Sequence, residues 1–518
     1  MRKIIAVCSL SVLIAIAPLK NVIAQSEIAE NFTTFSDWCK HKERLTPEAR
    51  HTVNVLLEKA GTEECDRAET ILTKLTELEL SFDDIKNLKP IASLTNLTKL
   101  DVSINDIVDV SPLVELTNLS WLSVHGNDIK NITPLASLNN LRVLSLGSNE
   151  VEDFSPLSHL IGLEELTIWD GKVSDLTPLA DLTNLEKLSL QENQIQNLIP
   201  LTNLTNLKEL ILYYNPIEDV TPLRNLKQLK LLVLRGNLVK NISPLKNLVN
   251  LESLSLGQNQ IEDIEPLSNL TKLEQLDLIR NKIESVNSLK NLTNLRQLYL
   301  SFNQIQNITS LASLNNLEYL SLFNNKIKDI SPLANLTNLP ELVLAENEIE
   351  DVTPLANLTN LSGLILNGNQ IKDVTPLGRL TKLFDLYLER NQVEDITPIQ
   401  NLDNLIGLRL SENQIKDVSS IENLKDLRYL TLNENEIANV TSLGNLTNLE
   451  RLSLNNNKIV DVAPLADLNK LESLYLNNNK IQTVKPLANL PRLRHIELRN
   501  NPLEDRGCPM RHERICQF

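Results

Sequence analysis

Apolar residues along this chain recur every 22 positions, from Leu75 to about Asn501. One period, Leu97 to Asn118, places them at Leu97, Leu100, Val102, Ile107, Val110, Leu113 and Leu116, with Asn105 and Pro112 at fixed places among polar residues. Laid in register, the asparagine stands at 105, 127, 149, 193, 215 and so on to 501, with Asp83 one step earlier and Gly171 in the single gap. The result is 20 coils with no inserted or deleted residue, the first starting at Leu75 and the last at Leu493. A unit of this length cannot bury its apolar side alone, so the coils must stack into a solenoid.

Alternation about Leu100 and Val102 predicts a short strand in which these two face inward while Lys99, Asp101 and Ser103 face out. One strand per coil makes a parallel sheet. The strand runs into a turn at Asn105, whose side chain both donates to and accepts from backbone groups that stacking would bury unpaired. Beyond it Ile107, Val110, Leu113 and Leu116 return to the core, and Pro112 bars a regular helix. Proline holds this column in 15 of the 20 coils. The return leg is too short for a full α-helix, so 3₁₀ turns or extended chain are expected opposite the sheet.

A stack of coils exposes apolar surface at both ends, which calls for lids. Residues 25–74 read as the first lid. Thr46 is placed to cap a helix that begins at Pro47, carries Ala49, Val53, Leu56 and Ala60 on one face and stops at Gly61. Ala68, Ile71, Leu72 and Leu75 mark a second short helical turn. Residues 75–505 are then the solenoid and 506–518 a closing cap, in which Arg506 stands at an apolar position and Cys508 replaces the proline.

Ahead of the lid, Met1, Arg2 and Lys3 precede an apolar run from Ile4 to Ala17, and Val22, Ile23 and Ala24 follow. This is the pattern of a signal peptide over residues 1–24, cleaved after Ala24. A membrane anchor fits less well, because the run is well short of the roughly 20 residues that span a bilayer, and no later run is longer. A secreted or periplasmic protein is expected. Cys8 leaves with the leader. In an exported chain Cys39 with Cys65, and Cys508 with Cys516, read as one disulfide in each cap. A zinc pair in the lid lacks partners, since His41 and His51 are not at a convincing spacing.

The formal charge is −16, and loss of Arg2, Lys3 and Lys20 with the leader takes it to −19. So acidic a chain is a poor partner for phosphate backbones, and nucleic acid is not expected. Only 3% aromatic residues and 13 glycines accompany 42% apolar content, so no linker divides the chain.

The unit Leu-x-x-Leu-x-Leu-x-x-Asn-x-Ile-x-Asp-Ile-x-Pro-Leu-x-x-Leu-Thr-Asn, illustrated by Leu339 to Asn360, resembles the 22-residue class of leucine-rich repeats in bacterial internalins, over about 430 residues. The resemblance implies an α/β solenoid, a right-handed superhelix with a parallel sheet on its concave face, a 3₁₀ or extended convex side, a helical N-terminal cap and a short disulfide C-terminal cap. It further implies that the concave face binds a protein ligand, often in adhesion or host contact. The 17 residues after Asn501 hold no immunoglobulin-like domain or Leu-Pro-x-Thr-Gly signal, so surface anchoring and invasion are not carried over.

The outward positions of each coil are the third, fifth, seventh and eighth, 80 sites in all, where chance would put about three of the 18 aromatic residues. Twelve are there: Trp121, Trp169, Tyr213, Tyr214, Tyr299, Phe302, Tyr319, Phe323 and Tyr387, with Phe82, Tyr429 and Tyr475. Strands favour aromatic residues and a leucine core has no room for rings, which is one explanation. The other is that rings anchor a partner. Only the second accounts for Tyr299, Phe302, Tyr319 and Phe323 falling side by side in coils 11 and 12, near the uncharged Ser253, Ser255 and Gln275. On that reading these four form the central contact, with Tyr213, Tyr214, Trp121 and Trp169 on one side and Tyr387 on the other. Gly171, two residues after Trp169, is either a second site or a tolerated drift.

The same face carries 15 acidic and eight basic residues, mixed along the array. There is no basic groove, and the charges read as a solvated surface or as the complement of a basic partner. A polysaccharide, as glycan or cell-wall polymer, is the second class of partner, and a passive structural component of the envelope is the third reading of the function. Serine and aspartate occur once per coil because the repeat demands them, and no nucleophile, base and oxyanion site converge. His125 and His495 lie far apart. Catalysis, metal and cofactor are not expected.

Overall fold

The computed structural model describes residues 32–504, 508, 516 and 517. The predicted leader and Arg506 lie outside the described residues.

The first lid is helical. Thr34 caps helix α1 (Phe35–Lys40), its hydroxyl accepting from the Asp37 N–H at 3.1 Å. Thr46 caps α2 (Pro47–Ala60), accepting from the Ala49 N–H at 3.3 Å, and Gly61 ends it in the left-handed region at φ 65°. The predicted second turn is α3 (Cys65–Leu72). Helix α1 is an addition, too short at six residues to show a period. Cys39 and Cys65 are bonded and tie α1 to α3. Phe35, Ala49, Val53, Leu56, Ala68 and Leu72 are fully buried. The lid also grips the first coil through polar contacts, with Thr52 Oγ1 donating to Asn87 O at 2.8 Å and His51 Nε2 at 2.7 Å from Asp83 O.

Each coil then contributes one strand, from β1 (Glu77–Glu79) in coil 1 to β20 (His495–Glu497) in coil 20. Every strand pairs in parallel with the next at an offset of one repeat, as Glu77 with Lys99 and Ser473 with His495. A last strand, β21 (Cys516–Gln517), pairs with β20, and Cys516 is bonded to Cys508. The 21-stranded sheet is the concave face. On the convex side coil 2 carries the 3₁₀ turn Ser111–Glu115 and its neighbours carry equivalents. Leu97, Leu100, Val102, Ile107, Val110, Leu113 and Leu116 are all at most 1% exposed, and the core runs unbroken through the coils.

The asparagine column is a hydrogen-bonded ladder. The Asn303 Nδ2 donates to Leu278 O of the preceding coil at 3.0 Å and to Leu300 O of its own at 3.0 Å, while its Oδ1 accepts from the Ile283 N–H at 3.1 Å. Two further columns do similar work and were not anticipated. The row-end asparagines reach back one coil, as Asn316 Nδ2 donates to Thr293 O at 2.9 Å. At the start of the 3₁₀ turns Asp109 Oδ1 accepts from the Ser111 N–H at 2.8 Å, and Asn131 does the same for Thr133 at 2.9 Å.

Candidate binding face

The strand of each coil covers only its third to fifth positions, as in Gln297–Tyr299. The eighth position, expected on the strand, is instead a turn residue in the left-handed region in all 20 coils, and only Gly126, Gly236 and Gly368 there are glycine. The turn does not depend on the ladder, since Phe82 and Asp170 are left-handed too in the two coils that lack the asparagine. In coil 11 Asn303 Nδ2 takes the carbonyls of Leu300 and Ser301 where the chain bends through Phe302 at φ 59°. Only two coils have a second left-handed residue, Asp84 and Lys172, and these are the two that lack the asparagine. Tyr214 and Phe302 therefore stand on the trailing edge of the sheet, one turn beyond the strands.

The four rings of coils 11 and 12 form two pairs. Tyr299 and Tyr319 lie 5.0 Å apart between centroids, and Phe302 and Phe323 meet edge to face at 4.9 Å. Between the pairs, Ser301 Oγ and Ser321 Oγ share a hydrogen bond of 2.6 Å, and both serines are buried. Arg280 stacks on the far side of Phe302, its Cζ 4.4 Å from the ring centroid. Burial pushes the Tyr299 phenol above its ordinary range, helped by Tyr319 and by the carboxylates of Asp277 and Glu341, and its OH donates to Gln297 Oε1 at 3.1 Å.

The remaining predicted residues stand apart from this group. Tyr213 and Tyr214 form their own edge-to-face pair at 5.6 Å, four coils earlier than Tyr299. Tyr387 carries Arg409 on its ring at 4.2 Å and donates its OH to Asp385 Oδ1 at 3.3 Å. Trp121 lies under Lys99 Nζ at 5.1 Å. Trp169 covers Gly147, where a Cβ would stand 2.5 Å from the indole, and has His125 at 6.2 Å.

Aliphatic residues on the same face enlarge two of these groups. Ile211, Leu231 and Val233 are half-buried beside Tyr213, and Val343 and Ile365 lie in register between coil 12 and Tyr387. A count of aromatic residues passes over them, although their occupation of outward positions was visible. Between the two apolar groups, Arg235 Nη1 reaches Asp277 Oδ2 at 3.2 Å. Further on, burial holds the Glu389 carboxyl above its usual value, opposed by Arg409 and by a bond from Thr431 Oγ1 at 3.4 Å. No group of three His, Cys, Asp or Glu side chains suited to a metal occurs among the described residues.

A parallel sheet built one strand per repeat, with side-chain ladders between coils, defines a solenoid repeat protein. The chain belongs to the leucine-rich repeat family: the family described as "Leucine Rich repeats (2 copies)" matches residues 117–159, overlapping pairs from 183 to 357, and 403–505. No curated protein sequence matches it. Among solved structures it is similar to an internalin (inlF) of Listeria monocytogenes, with 29% identity over 71% of this chain and 97% of that one and a TM-score of 0.52. A leucine-rich-repeat protein of Leptospira interrogans shows 26% identity over 82% and 96% of the two chains, with a TM-score of 0.50. The ectodomain of the Arabidopsis receptor kinase HAESA, solved with a peptide hormone ligand, shares the fold at a TM-score of 0.65, with 23% identity over 81% and 79% of the chains. No helix among the described residues is long and apolar enough to cross a membrane.

Proposed function

We propose that the protein is an exported, non-catalytic recognition scaffold that holds a polypeptide ligand against its concave face, centred on coils 11 and 12. The observation that carries this reading is the pair of ring clusters astride the Ser301–Ser321 bridge, where two tyrosines and two phenylalanines stand beside small residues. Aromatic anchors are enriched in the cores and hot spots of protein interfaces. Val343 and Ile365 extend the apolar surface from there toward Tyr387. The HAESA ectodomain, which shares the fold, was solved with a peptide hormone ligand, and this agrees with ligand binding by this fold. The predicted leader and the two cap disulfides fit export to an oxidising compartment.

The test is capture with the mature chain, run against both extracellular proteins and polysaccharides, beside a variant with Tyr299, Phe302, Tyr319 and Phe323 replaced by serine. The variant keeps the thermal midpoint and loses the captured protein. Retention of the ligand by the serine variant would move the site elsewhere, and capture of polysaccharide alone would replace the polypeptide reading. Export is checked by sequencing the N-terminus of the protein recovered outside the cytoplasm, expected at Gln25.

A further inference from the structure

The leading edge of the sheet, formed by the second position of each coil, carries a charged residue in every coil from 4 to 12 and again from 17 to 20, Arg142 and Arg494 being the first and last. Neighbours along this edge pair across coils: Lys208 Nζ lies 2.7 Å from Glu186, Lys230 Nζ 2.9 Å from Glu252, and Arg296 pairs with Glu318. In coils 13 to 16 the ladder is replaced by Pro340, Ser362, Phe384 and Ile406. Phe384 is 49% exposed there. It borders a shallow depression with Ile406 and Asn404, in which Asp426 faces the two cations Arg428 and Lys470 at the far end. The gap is level with Val343 and Ile365 on the concave face and begins one coil after Tyr319. The third-position glycine Gly363 keeps the passage between face and edge low, with only Glu341 Cγ near the place of a Cβ, whereas at Gly407 the Asp385 carboxylate lies over that place.

Charge marks the same coils. From coil 7 to coil 12 the outward positions hold two acids and two bases, whereas coils 13 to 16 hold five carboxylates against Arg390 and Arg409. Arg390 is paired with Glu346, and Arg409 lies on Tyr387. Glu341, Asp385 and Glu389 on the face, and Glu412 on the trailing edge, have no ion-pair partner among the described residues. An apolar floor lined by unpaired carboxylates suits a chain that alternates apolar and cationic side chains.

From this we infer that the binding face continues as an acidic, apolar-floored channel that leaves the concave side over the leading edge at coils 13 to 16, and that its occupant is a segment of the ligand polypeptide carrying Lys or Arg between apolar residues. The inference rests on the polypeptide reading above and gives the ligand its chemistry. The occupied segment runs from the rings of coil 12 past Val343 and Ile365 and lies on Phe384 and Ile406 as it exits.

The test is selection from a displayed library of random peptides of about 12 residues, enough to cross four coils at roughly 4.8 Å each, on the full chain with both disulfides intact. Enriched peptides are expected to interleave Lys or Arg with apolar residues and to weaken as salt rises. On a variant carrying Phe384→Lys and Ile406→Glu, which continues the charge ladder with opposite signs facing each other and Arg428, they should lose about tenfold in affinity. Undiminished binding to that variant, peptides without a basic excess, or no enrichment at all would each overturn the channel. The four-serine ring variant separates the two readings: peptides that ignore the rings but fail on Phe384→Lys with Ile406→Glu leave the channel standing and remove the ring-centred site, and the reverse pattern does the opposite.

Discussion

The guanidinium of Arg235 reaches the carboxylate of Asp277 from two coils away, at 3.2 Å, passing over Gly257. A Cβ at Gly257 would stand 2.8 Å from that carboxylate, so the glycine is what lets the pair form. The two partners are not equivalent. Asp277 also accepts from Ser255 Oγ at 2.8 Å and from the Ile279 N–H at 3.0 Å. Arg235→Ala should therefore cost less than about 1 kcal/mol, as for other pairs open to solvent, and less still at high salt. Asp277→Ala strands a backbone donor and should cost about 1–3 kcal/mol. Denaturation of the two variants, with the double variant to close the cycle, measures the difference; equal costs would mean that the charge pair is the main contribution.

The asparagine ladder makes a sharper contrast. Asn303→Ala removes the donor to Leu278 O and the acceptor of the Ile283 N–H inside a buried column, and should cost about 2–5 kcal/mol from two or more unsatisfied groups. At Gly171 the natural chain already lacks the rung. The Val151 N–H, whose counterparts Ile129 and Val173 are each held by an asparagine Oδ1, faces a residue without a side chain. Gly171→Asn should restore the bond and raise stability by about 1 kcal/mol, provided Ile168 Cγ2, which would lie 3.1 Å from the new Cβ, gives by a few tenths of an ångström. Thermal midpoints of both variants decide it; a fall for Gly171→Asn would mean that the break is built into coil 5.

How much of this was legible in the residues follows from what repetition can show. The core, the sheet register and the outward columns all follow from a period that never slips, because a single frame shift would expose Leu100 and its equivalents, and helix α2 follows from its Thr46 cap, Pro47 and one apolar face. Helix α1 repeats nowhere and was missed. The left-handed turn at Phe302 and Tyr214 was missed for a different reason: 17 of its 20 occupants are not glycine, so no residue preference betrays a geometry shared by every coil, with or without its asparagine. The pairing of Tyr299 with Tyr319 and of Phe302 with Phe323 needed coordinates, since adjacency in the repeat frame does not say which rings turn toward each other. The aliphatic and uncharged positions around Phe384 were readable and were masked by attention to rings.

Acid should loosen the convex side first. The carboxyls of Asp329 and Asp351 are held below their ordinary value, first by the hydroxyls of Ser331 and Thr353 and then by the backbone N–H groups of the same residues. A carboxyl whose native value is depressed contributes stability above its unfolded value near pH 3.9 and loses that contribution as pH falls through the lower native one. Asn241 and Asn307 make the equivalent bonds to Ser243 and Thr309 at 2.9 and 2.8 Å without a titrating group. Asp329→Asn with Asp351→Asn should thus be nearly neutral at pH 7 and flatten the acid limb of the thermal midpoint below about pH 4. An unchanged acid limb would place the acid sensitivity in other carboxylates.

The lid should fail locally. The bond between Cys39 and Cys65 closes a span of 26 residues and joins α1 to α3, which cover the open end of the leucine core. Losing it should cost about 2–4 kcal/mol. In a stack whose sheet pairing and core packing run from each coil to the next, that loss cannot spread evenly. Once the lid frays, Leu78, Leu80 and Ile85 of coil 1 lose their cover, while coils 11 and 12 keep both neighbours and the Ser301–Ser321 bridge. Cys39→Ser with Cys65→Ser should therefore raise hydrogen exchange steeply through the lid and the first few coils and leave the strands at Tyr299 and Tyr319 unchanged. Exchange rising by the same factor from coil 1 to coil 20 would show instead that the solenoid unfolds as one unit, with the lid as its keystone.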